Sequence, residues 1–331
     1  MSVHAFGDWV YLTSYLAPLA PALDRPDVTD IYINRPGEIW LEALGGAIER
    51  HEVPALDAAM LHRLARQVAA LNHQGISREH PLLSASLPDG SRIQIVLPPA
   101  TRGQIAIAIR KHASADLTLD DYAASGALDE TRIDSGGDQP VLEEMRRLVS
   151  ERDLVGALRA AVRGRQNILI SGGTSTGKTT FLNALVNEIP REERLILIED
   201  TPEVRLRHEN AVGLLAARSA LGEALVSAND LVSASLRMRP DRIILGELRG
   251  PEAFAFLRAV NTGHPGSMTT IHADSVTGAV EQLVLLVLEG GSTLRRADIV
   301  DYIRASIGVM VQLERSASGR RVAEVCVAGK G

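Results

Sequence analysis

"NILISGGTSTGKTTFLNAL", residues 167–185, joins an apolar run to a glycine-rich segment and then to an amphipathic run. The middle segment matches G-x-x-x-x-G-K-[ST], the signature of a phosphate-binding loop between a β-strand and an α-helix. Small residues let the backbone wrap a phosphate, and the helix N-terminus adds a partial positive charge. We expect Lys178 to reach the β- and γ-phosphates of a nucleotide and the Thr179 hydroxyl to bind Mg²⁺. The predicted nucleotide-binding residues of the loop are Gly172, Gly173, Thr174, Ser175, Thr176, Gly177, Lys178, Thr179 and Thr180.

From Val141 onward, strand-like and helix-like segments alternate. The strand-like segments are NILIS, RLILIE, RIILGE and SMTTIHA, and the helix-like segments are KTTFLNALVNEI, PEAFAFLRAVNT and VTGAVEQLVLLVLE. This alternation predicts an α/β domain with a mostly parallel sheet flanked by helices. The tail of the chain predicts a hairpin that turns at residues 316–319.

The first third of the chain has the pattern of a smaller α+β unit. Its strand-like segments are VTDIYIN, EIWLE, SRIQIVLP and QIAIAIRK, and a helix carries Leu61, Leu64, Val68 and Leu71 before Gly75 ends it. Arg92, Gln94 and Arg110 alternate with the isoleucines of the last two strands. We therefore expect these three side chains to point away from the apolar face.

Apolar periodicity fades between Ala113 and Gln139, where "DETRIDSGGDQP" is polar and contains glycine and proline. This composition predicts an interdomain linker, and a surface loop within one domain is the alternative. The predicted organisation is an N-terminal α+β domain over residues 1–115, a linker over 116–140 and a nucleotide-binding domain over 141–331.

Composition excludes several classes of protein. The net charge of −6 gives no sign of direct nucleic-acid binding, although a local basic groove is compatible with it. Cys326 is the one cysteine, so the chain forms neither an internal disulfide nor a multi-cysteine zinc site. The N-terminus lacks the pattern of a signal peptide. The most apolar run, residues 283–288, is far shorter than the roughly 20 residues that cross a bilayer. We expect a cytoplasmic protein that meets a membrane only through partners.

Two predicted strands end in carboxylates, at the edge where open α/β sheets bind ligands. Glu247 follows the apolar strand of "RIILGELRG", and we expect it to orient the attacking water. Gly246 stands where a magnesium-binding aspartate is usual, so Mg²⁺ would be held by Thr179, phosphates and waters, with Glu247 acting through water. Glu199 ends "RLILIE" and is the second acidic candidate. Adjacent strand residues point to opposite faces, so we do not expect both Glu199 and Asp200 to reach the nucleotide.

The order of these motifs resembles that of the secretion ATPase superfamily. The motifs are the phosphate loop, the acidic box "IEDTPE", the atypical second Walker element "ILGELR" and the histidine box "TGHPGSMTTIHA". Within the superfamily the chain is most similar to the traffic ATPase of type IV secretion systems, also called the P-type DNA-transfer ATPase. "PLAPALDRPDVTDIYINRPGEIWLE" is similar to that branch in particular. The similarity runs from about residue 16 to the end of the chain.

The resemblance implies a homohexamer of RecA-like P-loop ATPase domains with a second tier of smaller N-terminal α+β (PAS-like) domains. It also implies that Arg92 and Arg110 cover the nucleotide. One arginine of "SLRMRPDRIILGE" would act on the γ-phosphate of a neighbouring subunit, and we favour Arg239 over Arg237 and Arg242. Solvated surface or pairing with carboxylates is the alternative for these arginines.

The histidine box raises the question of a metal. A zinc site needs three or four ligands, and this stretch offers His264, His272 and Asp274 with no cysteine near. The resemblance implies instead that His272 senses the γ-phosphate, and a structural role is the alternative. Asp274 and Ser275 are predicted to cap the helix that follows.

The function that the resemblance implies is an ATP- and Mg²⁺-dependent motor. It would energise type IV secretion, conjugative pilus assembly and substrate transfer, with other ATPases and inner-membrane subunits of the apparatus as partners. A motor of type IV pilus retraction or type II secretion is the alternative, although assembly members of those branches usually carry a four-cysteine zinc motif. A non-catalytic scaffold is disfavoured by Lys178, Thr179 and Glu247, and a nucleic-acid motor by the net charge.

Overall fold

The computed structural model describes residues 11–111, 118–124, 126, 128–129, 140–217, 222–317 and 319–328. We call residues 11–111 the N-terminal domain and the described residues from 140 onward the P-loop domain. After a 3₁₀ turn (Ala17–Leu19), the N-terminal domain contains α1 (Ala20–Leu23), β1 (Val28–Ile33), β2 (Glu38–Ala43), β3 (Ile48–Glu52), α2 (Ala58–Leu71), β4 (Leu82–Ser86), β5 (Arg92–Val96) and β6 (Ala106–Arg110).

The N-terminal strands form one antiparallel sheet in the order β3-β2-β1-β6-β5-β4. Helix α2 begins at Asp57, whose carboxylate accepts the backbone N–H of Met60 at 2.7 Å. The helix and one sheet face share a core that includes Leu61, Leu64, Val68, Ile93, Ile95, Ile107 and Ile109. The opposite face packs on the P-loop domain, because Tyr32 and Ala108 belong to the same apolar cluster as Ile196 and Leu214.

A short helix, α3 (Leu119–Ala124), lies between the two domains in sequence. The helices of the P-loop domain are α4 (Pro140–Ser150), α5 (Leu154–Arg163), α6 (Lys178–Val186), α7 (Ala228–Ser235), α8 (Glu252–Asn261), α9 (Val276–Glu289) and α10 (Arg296–Ser306). Its strands are β7 (Ile168–Gly172), β8 (Leu195–Glu199), β9 (Ala211–Leu215), β10 (Arg242–Leu245), β11 (Met268–Ile271), β12 (Val309–Ser316) and β13 (Gly319–Val327).

The P-loop sheet has the order β13-β12-β7-β11-β10-β8-β9. All neighbouring strands are parallel except β12 and β13, which form an antiparallel hairpin. The phosphate-loop strand β7 therefore lies between β11 and β12. Because the strands around it are parallel, the carboxyl ends of β7, β8, β10 and β11 open at one edge of the sheet, where the motifs meet.

A polar junction joins the two domains. Arg194, fully buried just before β8, stacks its guanidinium over the ring of Tyr32 at 3.9 Å. Its Nη1 donates to the side-chain oxygens of Asn34, at 2.8 Å, and of Asn210. Burial lowers the pKa of Arg194 to about 10, which still leaves it charged at neutral pH. The N-terminal domain thus contacts the P-loop domain through the buried, charged side chain of Arg194.

The predicted strands, the helix over Leu61–Leu71 and the C-terminal hairpin are confirmed. Helix α2 ends at Leu71, four residues before the predicted stop at Gly75, because the Asn72 side chain donates to the carbonyl of Val68. Of the predicted linker over 116–140, the structure describes α3 and a few flanking residues. The remainder lies outside the described residues, and the domain boundaries stay predictions.

Candidate active site

The phosphate loop connects β7 to α6, as predicted. Ser175 and Gly177 adopt left-handed backbone conformations, with φ of 61° and 94°. Gly172 has to be glycine, because a Cβ there would lie 2.5 Å from Thr176 Oγ1. The Lys178 ammonium reaches back and donates to the carbonyl of Gly172 at 2.9 Å, so it lies inside the loop.

A cleft of about 440 Å³ opens above the loop. Seven consecutive loop residues, from Thr174 to Thr180, form one side of it. From outside the loop, the cleft is lined by residues that include Glu199, Asp200, Glu247, Arg249, His272 and Arg320. The structure therefore brings together the predicted lysine, both predicted carboxylates and the predicted histidine.

Glu247 is the centre of a polar group in this cleft. Its Oε1 lies 2.9 Å from Nε2 of His272 and 3.8 Å from Nζ of Lys178. The two ring nitrogens of His272 are 3.3 and 3.4 Å from the same Nζ. Burial lowers the pKa of Lys178, and the Glu247 carboxylate opposes that shift. A phosphate entering the cleft would meet the ammonium, the imidazole and the carboxylate together.

Arg249 was not singled out from the sequence. It donates to the Glu247 carboxylate from the side opposite His272, and its Nη1 contacts Asp200 Oδ2 at 2.6 Å. Burial lowers the pKa of Arg249, but the carboxylates around it, Glu247 first, raise it overall. The signal for this residue was its place two positions after the candidate carboxylate in "GELRG". Glu247 is thus held between a histidine and an arginine.

Glu199 and Asp200 both line the cleft, and that only one of them reaches a nucleotide stays a prediction. Strand β8 ends at Glu199, and the alternation of side chains does not continue into the bend at Asp200. The Glu199 carboxylate forms an ion pair with Arg102 of the N-terminal domain and accepts the backbone N–H of Val204 at 2.9 Å. These contacts hold the acidic box in place.

The candidate arginines lie away from this cleft in the described chain. Arg92 and Arg110 are exposed, as expected, and line a second groove together with Arg237. Arg239 donates to Glu42 of the N-terminal domain at 2.8 Å. Arg242 is fully buried in an ion pair, so its side chain is not available to a neighbouring subunit.

His264, the first histidine of the box, makes the contacts of a structural residue. His264 is half-buried, with Nδ1 at 3.1 Å from the carbonyl of Ala259, and burial lowers its pKa. Ser275 caps α9 by accepting the N–H of Gly278, as predicted, whereas no such cap is made by Asp274. Within the described ranges, no group of three or more His, Cys, Asp or Glu side chains is arranged to hold a metal ion.

Comparison with known proteins identifies the family. The family model described as "Type II/IV secretion system protein" matches residues 139–321, which include the phosphate loop, both acidic strand ends and the histidine box. The chain is 38% identical over 324 residues to the type IV secretion system protein VirB11 of Bartonella henselae, covering 94% of this chain and 91% of that protein. The chain belongs to the type IV secretion traffic ATPases. It is also 40% identical over 327 residues to the type IV secretion system protein PtlH of Bordetella pertussis, covering 94% and 93% of the two chains.

The fold agrees with that of a solved traffic ATPase. The crystal structure of the VirB11 ATPase from the Brucella suis type IV secretion system, in complex with sulphate, has a TM-score of 0.89 at 38% identity. The match covers 96% of this chain and 97% of that one. This traffic ATPase is accordingly an ATP-hydrolysing enzyme with a two-domain, RecA-like architecture. The relatives support the type IV secretion branch rather than the pilus-retraction or type II alternative.

No helix in the described part of the chain combines the length and apolar character needed to span a membrane. Arg320, the second arginine of the cleft that the sequence did not single out, comes from β13. The only sequence signal for it was the predicted hairpin, which does not by itself say which strand the hairpin would join.

Proposed function

We propose that this chain binds ATP and Mg²⁺ in the cleft above the phosphate loop and uses hydrolysis to energise type IV secretion as a homohexameric ring. The observation that carries the proposal is the group of Lys178, Glu247 and His272, gathered at one sheet edge with their polar atoms 2.9 to 3.8 Å apart. A lysine that binds the phosphates and a residue that orients the attacking water are parts that phosphoryl transfer to water requires.

The roles follow from position. The loop from Gly172 to Thr180 would cradle the phosphates, and Lys178 would exchange its contacts with loop carbonyls for contacts with the β- and γ-phosphates. Glu247, oriented by His272, would position the attacking water. His272 would then report the γ-phosphate to its surroundings, because an imidazole N–H that donates to a phosphate oxygen cannot keep its contact with Glu247. Glu199, tied to Arg102, would support this site from the domain boundary.

The residues fit a magnesium ion. The Thr179 hydroxyl and the carboxylates of Glu247 and Asp200 line the cleft and are the hard oxygen donors that Mg²⁺ takes together with waters and phosphates. Thr179 would bind the ion directly and Glu247 through water. When bound, Mg²⁺ would neutralise negative charge on the triphosphate.

The assembly would complete the site. Arg92 and Arg110 are exposed and carry their charge away from their own cleft, which leaves them able to cover a nucleotide at a subunit boundary. Arg239 is our candidate for the arginine that acts on a neighbour's γ-phosphate, which would require its contact with Glu42 to open. We further propose that the ring works at the cytoplasmic face of the inner membrane through other ATPases and membrane subunits of the apparatus.

The test is ATP turnover per subunit as a function of protein concentration, with Glu247→Gln as the control. We expect a rate per subunit that rises cooperatively with concentration. Loss of the water-orienting carboxylate should lower turnover by roughly 10²- to 10⁴-fold. A rate per subunit that stays constant down to monomer concentrations would contradict the ring and the trans-acting arginine. Turnover that survives Glu247→Gln would contradict the assigned role of the carboxylate.

A further inference from the structure

The C-terminal hairpin lies directly beside the phosphate loop. Strand β12 pairs in parallel with β7, and Leu313 is opposite Gly172, the last residue of β7. Strand β12 then continues to Ser316, past the end of β7 and alongside the loop. The hairpin returns through β13, where Arg320 is paired with Arg315. The sheet register thus brings the beginning of β13 to the phosphate loop.

Arg320 touches the loop at two points. Its Nε donates to the carbonyl of Ser175 at 3.0 Å. A Cβ placed on Gly177 would lie 3.1 Å from Cδ and 4.0 Å from Nη1 of Arg320, so the side chain runs along the residue that precedes α6. Arg320 is exposed and also lines the cleft. Nε therefore fixes the side chain against the loop, and the rest of the guanidinium remains exposed at the cleft wall.

The other cations of the cleft are paired with carboxylates, and Arg320 differs from them in this respect. Lys178 faces Glu247, and Arg249 contacts both Glu247 and Asp200. Across the described residues, no carboxylate forms an ion pair with Arg320. A planar guanidinium that is held on one side and free on the other suits a phosphate, because its N–H groups match phosphate oxygens in geometry and charge.

We propose that Arg320 is a nucleotide-binding residue that contacts the phosphates shared by ATP and ADP. The inference rests on the proposed binding of ATP in this cleft. The phosphate loop cradles the α- and β-phosphates with its backbone while the lysine reaches toward the γ-phosphate. Arg320 lies against the loop backbone at Ser175 and Gly177. His272 and Glu247 instead lie beside the Lys178 ammonium. Arg320 would thus bind nucleotide before and after hydrolysis.

This placement predicts which kinetic constant changes. A contact made equally with substrate, transition state and product changes binding without changing the chemical step. Loss of the Arg320 charge should therefore raise the Kd for ADP and the KM for ATP together and leave kcat within about twofold. A residue that only braced the loop would change the thermal midpoint of the free protein instead.

The experiment compares Arg320→Gln and Arg320→Lys with Arg321→Gln in the full chain. Glutamine retains a donor for the Ser175 carbonyl but loses the charge. Arg321 is the matched control, since it is the next residue of β13, is exposed and pairs with Glu314. ADP binding is measured by titration calorimetry, ATP turnover by steady-state kinetics, and stability by the thermal midpoint without nucleotide.

We expect Arg320→Gln to weaken ADP binding about tenfold, the scale of one charge-assisted hydrogen bond. Arg320→Lys should fall between it and the wild type, and Arg321→Gln should match the wild type. Equal ADP affinity in Arg320→Gln and Arg321→Gln, with turnover intact in the wild type, would overturn this inference alone. So would a fall in kcat with unchanged ADP affinity. A wild-type chain that binds neither ADP nor ATP would overturn the proposed function, and the inference with it.

Discussion

The buried pair of Arg242 and Glu193 allows a sharp test of which arginines are structural. Arg242 Nε and Nη2 each lie 2.7 Å from a Glu193 oxygen, and Nη1 donates to the carbonyl of Val162 at 2.7 Å. The Arg242 side chain is 0% exposed and that of Glu193 7%. Removing one partner of such a pair leaves the other charge buried and lowers the free energy of unfolding by about 3–5 kcal/mol.

We therefore expect Arg242→Met and Glu193→Met each to lower the free energy of unfolding by about 3–5 kcal/mol. The double variant should recover most of that loss, because a methionine pair leaves no unpaired charge. In Arg242→Met, Glu193 would still pair with Arg165 at 3.3 Å. We therefore expect the loss in that variant to lie toward the lower end of the range. The measurement is urea unfolding followed by circular dichroism, analysed as a double-mutant cycle.

The same variants separate a structural role from a catalytic one. At a temperature where Arg242→Met is folded, its turnover per subunit should stay within about twofold of the wild type, because the side chain is fully buried and is not among the residues that line the candidate active site. Single losses under about 1 kcal/mol, or losses that simply add in the double variant, would refute the reasoning. So would a variant that keeps its stability and loses turnover.

Three further predictions concern the site and the fold. His272→Ala should lower kcat by up to about 100-fold with little change in KM, because Glu247 loses one of its two orienting partners and keeps only Arg249 among those described above. An unchanged kcat in steady-state kinetics would contradict this. Arg239→Ala and Lys178→Ala should each be inactive alone, but mixed rings should regain turnover if Arg239 acts on a neighbour, and mixtures that stay inactive would argue against that role. Burial lowers the pKa of His208, whose Nδ1 has no hydrogen-bond partner among the described residues. The unfolded chain takes up this proton at about pH 6.5, so stability should fall as the pH drops below that value. The thermal midpoint should therefore fall less between pH 7.5 and 5.5 in His208→Gln than in the wild type, and equal falls would contradict this.

The strand pattern of the sequence accounts for how the centre of the candidate site is brought together. In a parallel sheet, residues at the carboxyl ends of strands meet at one edge, and the structure aligns Leu245 with Thr269 and Ile271 with Ser171. His272 follows β11 directly, and Glu247 follows β10 after Gly246. Predicting that these two residues lie near Lys178 therefore required only that three strands and one loop be assigned correctly.

Other features depend on contacts that local patterns do not encode. Strand β7 lies between β11 and β12, and its pairing with β12 brings Arg320 to the loop. Arginines in a polar stretch are usually exposed, so the local pattern does not predict that Arg194 and Arg242 are buried. The short strand β3 has the sequence IERHE and is largely exposed, so it shows no apolar alternation that would predict it.

The sheet order also has a consequence for synthesis on the ribosome. Strand β7 begins at Ile168, but the two strands that flank it begin at Met268 and Val309. Pairings between segments so distant in sequence form late, because the loop between them must close first. The phosphate loop thus emerges early as an unsupported turn and acquires its framework only when the last strands have left the exit tunnel. Premature termination after the phosphate loop but before β12 would yield a polypeptide that carries the phosphate-loop motif without a formed nucleotide site.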